Sequence, residues 1–218
     1  MPALLEDPQN HIPPPATALK QAPLLNPRQT TLPKANNAPV TLYPITNGPD
    51  SLPADLIKYL HAEFSAEIER GATYPMEEPM ELEKFAGYWF GTFAVVALLG
   101  EEGEIREGRD WERECLGTFY IKPNYPGRCS HVCNAGFLTT NAARNKGVGI
   151  VMGETYLEYA PKLGYKYSVF NLVFENNTAS VKIWEKLGFK VIGRVPRCAR
   201  LANSEELVDA LIIGRELV

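Results

Sequence analysis

The residues best suited to hold a charged ligand are the six from Arg144 to Gly149, with the sequence RNKGVG. Gly147 and Gly149 let the backbone approach a ligand closely, because glycine has no Cβ atom. A helix is predicted to begin near Gly147, and the first N–H groups of a helix have no partner inside it. Arg144 and Lys146 add positive charge at the same end. This combination is typical of a site that holds phosphate.

The same six residues could instead form an ordinary turn between a strand and a helix, with glycine required only by the backbone geometry. A Gly-x-Gly pattern by itself favours that alternative. The pattern is not that of a P-loop, because no Gly-Lys-Ser/Thr follows, and it lacks the third glycine of a dinucleotide-binding fingerprint. Residues elsewhere in the chain must therefore decide whether the loop binds phosphate.

Composition and charge narrow the functions open to the chain. It has 218 residues, of which 45% are hydrophobic, enough for one domain with a sizeable core. A net charge of −4 and a pI of about 5.5 argue against general binding to nucleic acids, and no apolar run is long enough to span a membrane. The lack of an evident secretory leader predicts a cytoplasmic protein with reduced cysteines. A mitochondrial location is the alternative.

Three candidate metal ligands lie close together in the sequence. Cys129, His131 and Cys133 would share one face of a strand, and thiolates and imidazoles are ligands that zinc prefers. A structural zinc site needs a fourth ligand, and none is evident. We therefore expect no metal.

The first 39 residues differ in composition from the rest of the chain. They hold nine of the eighteen prolines, which exclude a helix or a central strand over most of this range. The sequence therefore predicts a proline-rich N-terminal arm over residues 1–39, either disordered or extended along a domain that covers residues 40–218.

Within that domain, apolar periodicity predicts seven strands and four helices. The run 167–174 is apolar on both faces, which indicates a central strand, and the acidic segment 100–114 is expected to be a solvated connection. The predicted helices cover 52–69, 80–89, a segment beginning near 147, and 177–187. The predicted strands cover 40–45, 92–99, 116–121, 131–139, 167–174, 189–193 and 208–215.

Two sequence motifs, combined with this order of helices and strands, indicate a fold family. Residues 144–149 match Arg/Gln-x-x-Gly-x-Gly/Ala. Residues 177–189 (NTASVKIWEKLGF) resemble Asn-x-Ala-Ser-x-x-x-Tyr-x-Lys-x-Gly-Phe, with Trp184 in place of the tyrosine. In this order, about thirty residues apart, they resemble the GNAT N-acetyltransferases. The resemblance implies an α/β (α+β) GNAT fold, with a mixed, mostly antiparallel twisted sheet of about seven strands flanked by about four helices. It also implies acetyl-CoA as cosubstrate, bound by Phe137, Leu138, Thr139, Arg144, Asn145, Lys146, Gly147, Val148, Gly149 and Asn177.

Longer runs are more specific than either motif. They include 116–125 (LGTFYIKPNY), 128–137 (RCSHVCNAGF) and 163–174 (LGYKYSVFNLVF). Between about residues 50 and 214 the chain resembles the fungal N-acetyltransferases that act on L-azetidine-2-carboxylate. This implies a homodimer that acetylates the secondary amine of toxic proline analogues or related proline-pathway intermediates, as a detoxifying enzyme.

The same resemblance places three asparagines in the active site. Asn134 and Asn171 are implied to bind substrate, and Asn171 and Asn177 to act in catalysis. One donor, from Asn171, from Asn177 or from a backbone N–H, is expected to stabilise the oxyanion. Considered as residues alone, Asn171 could equally bond neighbouring backbone. Asn134 could belong to a turn, and Asn177 is well placed as an N-cap.

Two positions limit the implied mechanism. The tyrosine that usually protonates the leaving thiolate is replaced by Trp184, for which burial in the core is expected. Glu175 is a candidate general base by position, although its surroundings also suit a solvated loop residue. Asparagine cannot act as a base, so an ordered water is expected to take the amine proton.

Direct acetyl transfer in a ternary complex, in which proximity supplies much of the rate, is the leading interpretation. Two others remain open at this point. The chain could acetylate another small amine or a peptide N-terminus, or it could bind acyl-CoA without any turnover.

Overall fold

The computed structural model describes residues 25–101, 103–202 and 204–218. Residues 1–24 of the predicted arm lie outside these ranges.

An eight-stranded mixed sheet forms the centre of the described fold, in the order β1-β2-β3-β4-β5-β6-β8-β7. Neighbouring strands are antiparallel except β5 and β6, which are parallel. The predicted mixed, mostly antiparallel sheet is confirmed, with one strand more than expected. The strands are β1 (Arg28–Leu32), β2 (Ala38–Ile45), β3 (Ala94–Leu99), β4 (Cys115–Pro123), β5 (Val132–Thr139), β6 (Tyr167–Phe174), β7 (Lys190–Ala199) and β8 (Val208–Glu216).

The additional strand, β1, lies inside the range predicted as an arm. It occupies the residues between Pro27 and Pro33, all of which carry an N–H group, and it pairs with β2 from Arg28 to Leu32. As an outer strand with one neighbour, it is compatible with flanking prolines. Leu32 is only 1% exposed, so this strand contributes to the core. The β1–β2 hairpin crosses the boundary predicted between residues 39 and 40.

Five α-helices accompany the sheet in the part of the chain that the structure describes. The four predicted helices are present, and the fifth, α3, is a single turn within the acidic segment that was expected to be a solvated connection. Its first residue, Trp111, is 6% exposed and therefore buried rather than solvated. The helices are α1 (Ala54–Arg70), α2 (Leu82–Phe90), α3 (Trp111–Glu114), α4 (Val148–Lys162) and α5 (Thr178–Lys186).

The helices lie on opposite faces of the sheet, as the alternating side chains of β3 show. Val95 and Ala97 pack in the apolar cluster that contains residues of α4 and α5. Val96 and Leu98 pack in a second cluster that contains residues of α1 and α2. Since successive side chains of a strand point to opposite faces, the two clusters form separate layers of core.

The pairing between β5 and β6 is short. It joins Val132 to Tyr167 and Cys133 to Ser168 and goes no further. Beyond that point the ring of Trp184 packs against one ring from each strand, 4.8 Å from that of Phe137 on β5 and 4.6 Å from that of Phe170 on β6. The two strands therefore diverge, and the edge of β5 that faces β6 is left open.

Gly136 lies on β5 next to this opening, and its close packing leads to a prediction about stability. A Cβ atom at Gly136 would lie 2.5 Å from Cε1 of Tyr120, whose ring is buried and whose hydroxyl is 2.9 Å from that of Tyr88. We expect Gly136→Ala to lower the free energy of unfolding by about 1–3 kcal/mol through overpacking, measured by urea denaturation. In α2, a methyl group added at Gly87 would meet nothing within 4 Å beyond its own helix backbone, so Gly87→Ala is the control. It should raise stability by about 0.4–1 kcal/mol. A Gly136→Ala protein as stable as wild type would contradict this packing.

Candidate functional site

A cavity of about 790 Å³ lies where β5 and β6 diverge. Its walls come from β5, the loop before α4, the start of α4, β6 and α5. Lys146, predicted to bind the cofactor, is exposed and is not part of the wall. The other predicted site residues all line the cavity: Asn134, Phe137, Leu138, Thr139, Arg144, Asn145, Gly147, Val148, Gly149, Asn171 and Asn177.

The loop before α4 has the backbone geometry of an anion site. Asn145 (φ 63°) and Gly147 (φ 89°) both adopt the left-handed conformation, and α4 begins at Val148 with no side chain capping its first turn. When left-handed residues directly precede the start of a helix, successive backbone N–H groups point toward the same side of the chain. The N-terminus of α4, with its partial positive charge, is thus open to the cavity.

The two glycines of the loop have different roles. Nothing approaches a Cβ position on Gly147 more closely than 3.8 Å, so its left-handed φ explains the glycine. At Gly149 a Cβ would lie 2.9 Å from Cδ1 of Ile183. Gly149 therefore permits close packing of α4 against α5, which the sequence did not indicate.

Arg144 points to a carboxylate rather than into open space. Its guanidinium bonds to Glu67, which also accepts hydrogen bonds from Arg70 and from Thr73 at 2.7 Å. Burial alone raises the pKa of Glu67, but the hydrogen bonds from Thr73 and Arg144 and the nearby positive charges outweigh burial and lower the pKa. Glu67 is thus an ion whose charge balances that of Arg144.

A second glutamate of α1 holds the same loop. Glu63 accepts a hydrogen bond of 2.6 Å from the backbone N–H of Asn141, just before Arg144. Glu63 and Glu67 are one helical turn apart and thus share a face of α1. The sequence shows this spacing but not that the face meets the loop, because about 77 residues separate Glu67 from Arg144.

Three lysines also line the cavity. Lys182 and Lys186 lie on α5, and Lys34 lies in a 3₁₀ turn, Pro33–Ala35, that follows β1. Lys34 was missed because the segment around it was predicted to be an arm outside the domain.

The open edge of β5 offers backbone groups at alternate residues. The N–H of Thr140 donates to Leu116 and the carbonyl of Val132 accepts from Asn124, so even-numbered residues pair with the β4 side. The N–H and C=O groups of Phe137 and Thr139 therefore face the cavity, whereas those of Leu138 do not. In agreement, the Phe137 carbonyl accepts a hydrogen bond of 2.9 Å from the hydroxyl of Tyr74, another lining residue.

Each of the three asparagines has a defined contact. Asn177 caps α5, as predicted, by accepting from the N–H of Ser180 at 3.2 Å. Asn134 is 4% exposed and accepts from the N–H of Ala135 at 2.7 Å. Asn171 forms a reciprocal carboxamide pair with the buried Asn124, with N···O distances of 2.8 and 3.3 Å. The sequence did not identify Asn124, since it lies 47 residues away.

Asn171 also lies in an irregular part of its strand. The register between β6 and β8 shifts between Phe170 and Val173. The bulge takes Asn171 out of the regular ladder and beside the cavity.

Trp184, Glu175 and Glu67 are each engaged in other contacts. Trp184 is buried, as expected, and its Nε1–H donates to Ser180 Oγ at 3.0 Å. Glu175 binds Arg194 at 2.7 Å and does not line the cavity. Of the described lining residues, Glu67 carries the single carboxylate, and it is engaged by two arginines.

The cysteines do not assemble a metal site with the described part of the chain. Cys129 is exposed in a 3₁₀ turn before β5, whereas Cys133 is buried on β5 with its Sγ 3.1 Å from the hydroxyl of Tyr156. Burial raises the pKa of the Cys133 thiol to about 12. No group of three or more His, Cys, Asp or Glu residues suited to a metal occurs in the described ranges. Nor is any helix there long and apolar enough to cross a membrane.

Comparison with known proteins places this geometry in a family. A model of the acetyltransferase (GNAT) family matches residues 58–189. The N-acetyltransferase aca1 of Schizosaccharomyces pombe is 41% identical over 165 residues, which cover 72% of this chain and 78% of that protein. Protein SPT10 of Saccharomyces cerevisiae is 33% identical over 88% of this chain, but the match spans only 36% of SPT10.

A solved structure agrees with the fold. The GCN5-related N-acetyltransferase of Kribbella flavida superimposes with a TM-score of 0.67 at 25% identity, covering 81% of this chain and 97% of that one. The loop at the start of α4, the open edge of β5 and these matches lead to one conclusion. The chain belongs to the acetyltransferase (GNAT) family and is an acyltransferase with acetyl-CoA as its cosubstrate.

Proposed function

We propose that the protein acetylates the secondary amine of a small cyclic imino acid, of the type of L-azetidine-2-carboxylate. The observation that carries this proposal is that the carboxamides of Asn134, Asn171 and Asn177 line the same cavity as the start of α4. The carboxamides supply neutral donors for a small carboxylate. The helix N-terminus supplies a place for the phosphates of the cosubstrate.

In this proposal the cosubstrate lies along the opening between β5 and β6. The N–H groups that follow Gly147 hold the pyrophosphate, and the pantetheine arm adds to the edge of β5 at Phe137 and Thr139. Leu138 contributes its side chain rather than its backbone, because its backbone groups face β4. The lack of any contact closer than 3.8 Å at the Cβ position of Gly147 and the uncapped start of α4 both fit such a ligand.

Recognition of the imino acid is assigned to Asn134 and Asn171. A carboxamide NH₂ has two donors, and the pair with Asn124 uses one of those on Asn171. The second can donate to a substrate carboxylate without placing a fixed charge in the pocket. The buried Asn124 holds the Asn171 carboxamide in one orientation.

The catalytic contribution of the chain is mainly positional. Acetyl-CoA supplies the acetyl group as a thioester. The cap on α5 uses the oxygen of Asn177 and leaves its NH₂ to donate to an oxygen or sulfur in the cavity. Trp184 is a core residue, and Glu67 is occupied by Arg144 and Arg70, so the amine proton passes to water. Coenzyme A leaves as the thiolate when the thioester bond breaks, and it takes its proton from water.

A homodimer is part of the same proposal, supported by the outer strand β7. Val191 and Ile192 are 56% and 52% exposed there, and an exposed apolar outer strand favours pairing with another chain. We expect Ile192→Glu to shift the protein toward monomer in sedimentation equilibrium. Val218→Glu is the control, because it places the same charge at an exposed apolar residue outside β7, and it should leave the mass unchanged. An unchanged mass for Ile192→Glu would contradict pairing through β7.

Cosubstrate affinity should depend on Gly147. A valine there meets a left-handed φ of 89° and projects toward the bound phosphates, so we expect Gly147→Val to weaken acetyl-CoA binding at least about tenfold in calorimetry. Gly108→Val is the matched control, because Gly108 has a similar φ of 80° and lies outside the cavity. Equal affinities in the folded Gly147→Val and wild-type proteins would refute the loop assignment.

Substrate preference tests the remaining part of the proposal. In a thiol-release assay with saturating acetyl-CoA, azetidine-2-carboxylate should be turned over faster than primary amino acids or peptides. Asn171→Asp and Asn134→Asp should raise its KM by roughly ten- to a hundredfold, since a hydrogen bond to a charged group contributes about 1.5–3 kcal/mol. Acetyl-CoA affinity should hardly change.

The control for these two variants is Asn176→Asp, which adds the same charge at an exposed position outside the cavity wall. It should retain the wild-type KM. Wild-type kinetics in both Asn171→Asp and Asn134→Asp would show that these asparagines do not bind substrate. A preference for peptides would assign the cavity to protein N-termini instead.

A further inference from the structure

Lys34 lies beside the centre of the loop that precedes α4. Its Cγ and Cδ atoms are 3.8 Å from the position that a Cβ atom on Gly147 would occupy. The ammonium is two bonds further along the side chain, and Lys34 is exposed and lines the cavity. The lysine stem therefore runs across Gly147 at the point where α4 starts.

The segment that precedes Lys34 is held against α4 by side-chain contacts. Arg28 on β1 donates to Thr155 Oγ1 on α4 at 2.8 Å and lies 3.4 Å from Glu158. Tyr159 of α4 donates its hydroxyl proton to the carbonyl of Asn26 at 2.8 Å. These contacts hold β1 against the body of α4, and the turn after β1 then places Lys34 near the first residue of that helix.

The charge of Lys34 is not committed elsewhere in the described structure. None of the ion pairs found among residues 25–101, 103–202 and 204–218 includes it. Arg144, by contrast, is balanced by Glu67, and Lys146 is outside the cavity wall. Of Arg144, Lys146 and Lys34, Lys34 is thus the one that lines the cavity without an ion pair to a described residue. Lys182 and Lys186 line it from α5.

We propose that Lys34 binds the pyrophosphate of acetyl-CoA, together with the N–H groups at the start of α4. The inference rests on the loop assignment proposed above and adds a residue that precedes the family-matched range 58–189. It also gives the β1–β2 hairpin a function, which is to bring a cation to the phosphate loop. A lysine acts at such a site as a mobile point charge on a flexible stem.

The test is calorimetric binding of acetyl-CoA and of acetyl-3′-dephospho-CoA to wild type and Lys34→Met. Methionine keeps an unbranched apolar stem and removes the charge. We expect Kd to rise roughly two- to fivefold for both ligands, as for a solvent-exposed ion pair. The difference should shrink at about 1 M salt, where the Debye length is about 3 Å. Lys34→Arg should restore most of the affinity.

Lys84→Met is the control for net charge, because Lys84 is exposed on α2 and outside the cavity wall. It should bind both ligands as wild type does. An unchanged Kd in Lys34→Met would overturn the inference, as would a loss confined to acetyl-CoA, which would assign Lys34 to the 3′-phosphate. If Gly147→Val loses affinity while Lys34→Met does not, only this inference fails. If Gly147→Val binds normally, the loop assignment itself fails.

Discussion

The site depends on how little of β5 and β6 is paired. The two strands share hydrogen-bonded partners only at Val132–Tyr167 and Cys133–Ser168. A continuous parallel ladder would have satisfied the backbone groups of Phe137 and Thr139 inside the sheet. Because the ladder stops, those groups face a cavity, and Trp184 of α5 packs against Phe137 and Phe170, one ring from each strand. The opening exposes a strand edge that another chain or ligand can complete.

The loop at one end of this opening is held from both layers of the fold. On one side, α1 supplies Glu63 to Asn141 and Glu67 to Arg144. On the other, the β1–β2 hairpin is bonded to α4 and carries Lys34 to the loop. The loop is therefore ordered by contacts between distant segments, so its N–H groups need little rearrangement to receive an anion.

Local signals in the sequence were enough for much of this architecture. Among the described residues, apolar periodicity located the four longer helices and seven of the eight strands. The cap formed by Asn177 and the burial of Trp184 followed from residue type and spacing. Strand β1 was missed because proline content dominated the interpretation of residues 1–39, although the segment between Pro27 and Pro33 is free of proline. Composition averaged over a long range hides a strand of five residues.

The parts that the sequence could not supply are pairings between distant residues. Arg144 was predicted to bind the cofactor, but its ion pair with Glu67 was not predicted, because Glu67 belongs to a helix far away in the chain. Asn171 was recognised as a buried amide that needs a partner, but the partner, Asn124, is set by the way the bulge in β6 meets the end of β4. The register of β5 on β4 likewise decides that the backbone groups of Leu138 face β4 while those of its two neighbours face the cavity. Register depends on both strands and cannot be deduced from the residues of one.

That last distinction permits a direct measurement of the central claim, that acetyl-CoA occupies the open edge of β5 and the start of α4. Amide hydrogen exchange, followed by NMR with and without saturating acetyl-CoA, reports on each N–H separately. The account predicts slower exchange on binding at Phe137, Thr139 and Gly149, with no comparable change at Leu138, whose N–H already faces β4. Protection that appears elsewhere and leaves Phe137, Thr139 and Gly149 unchanged would contradict it.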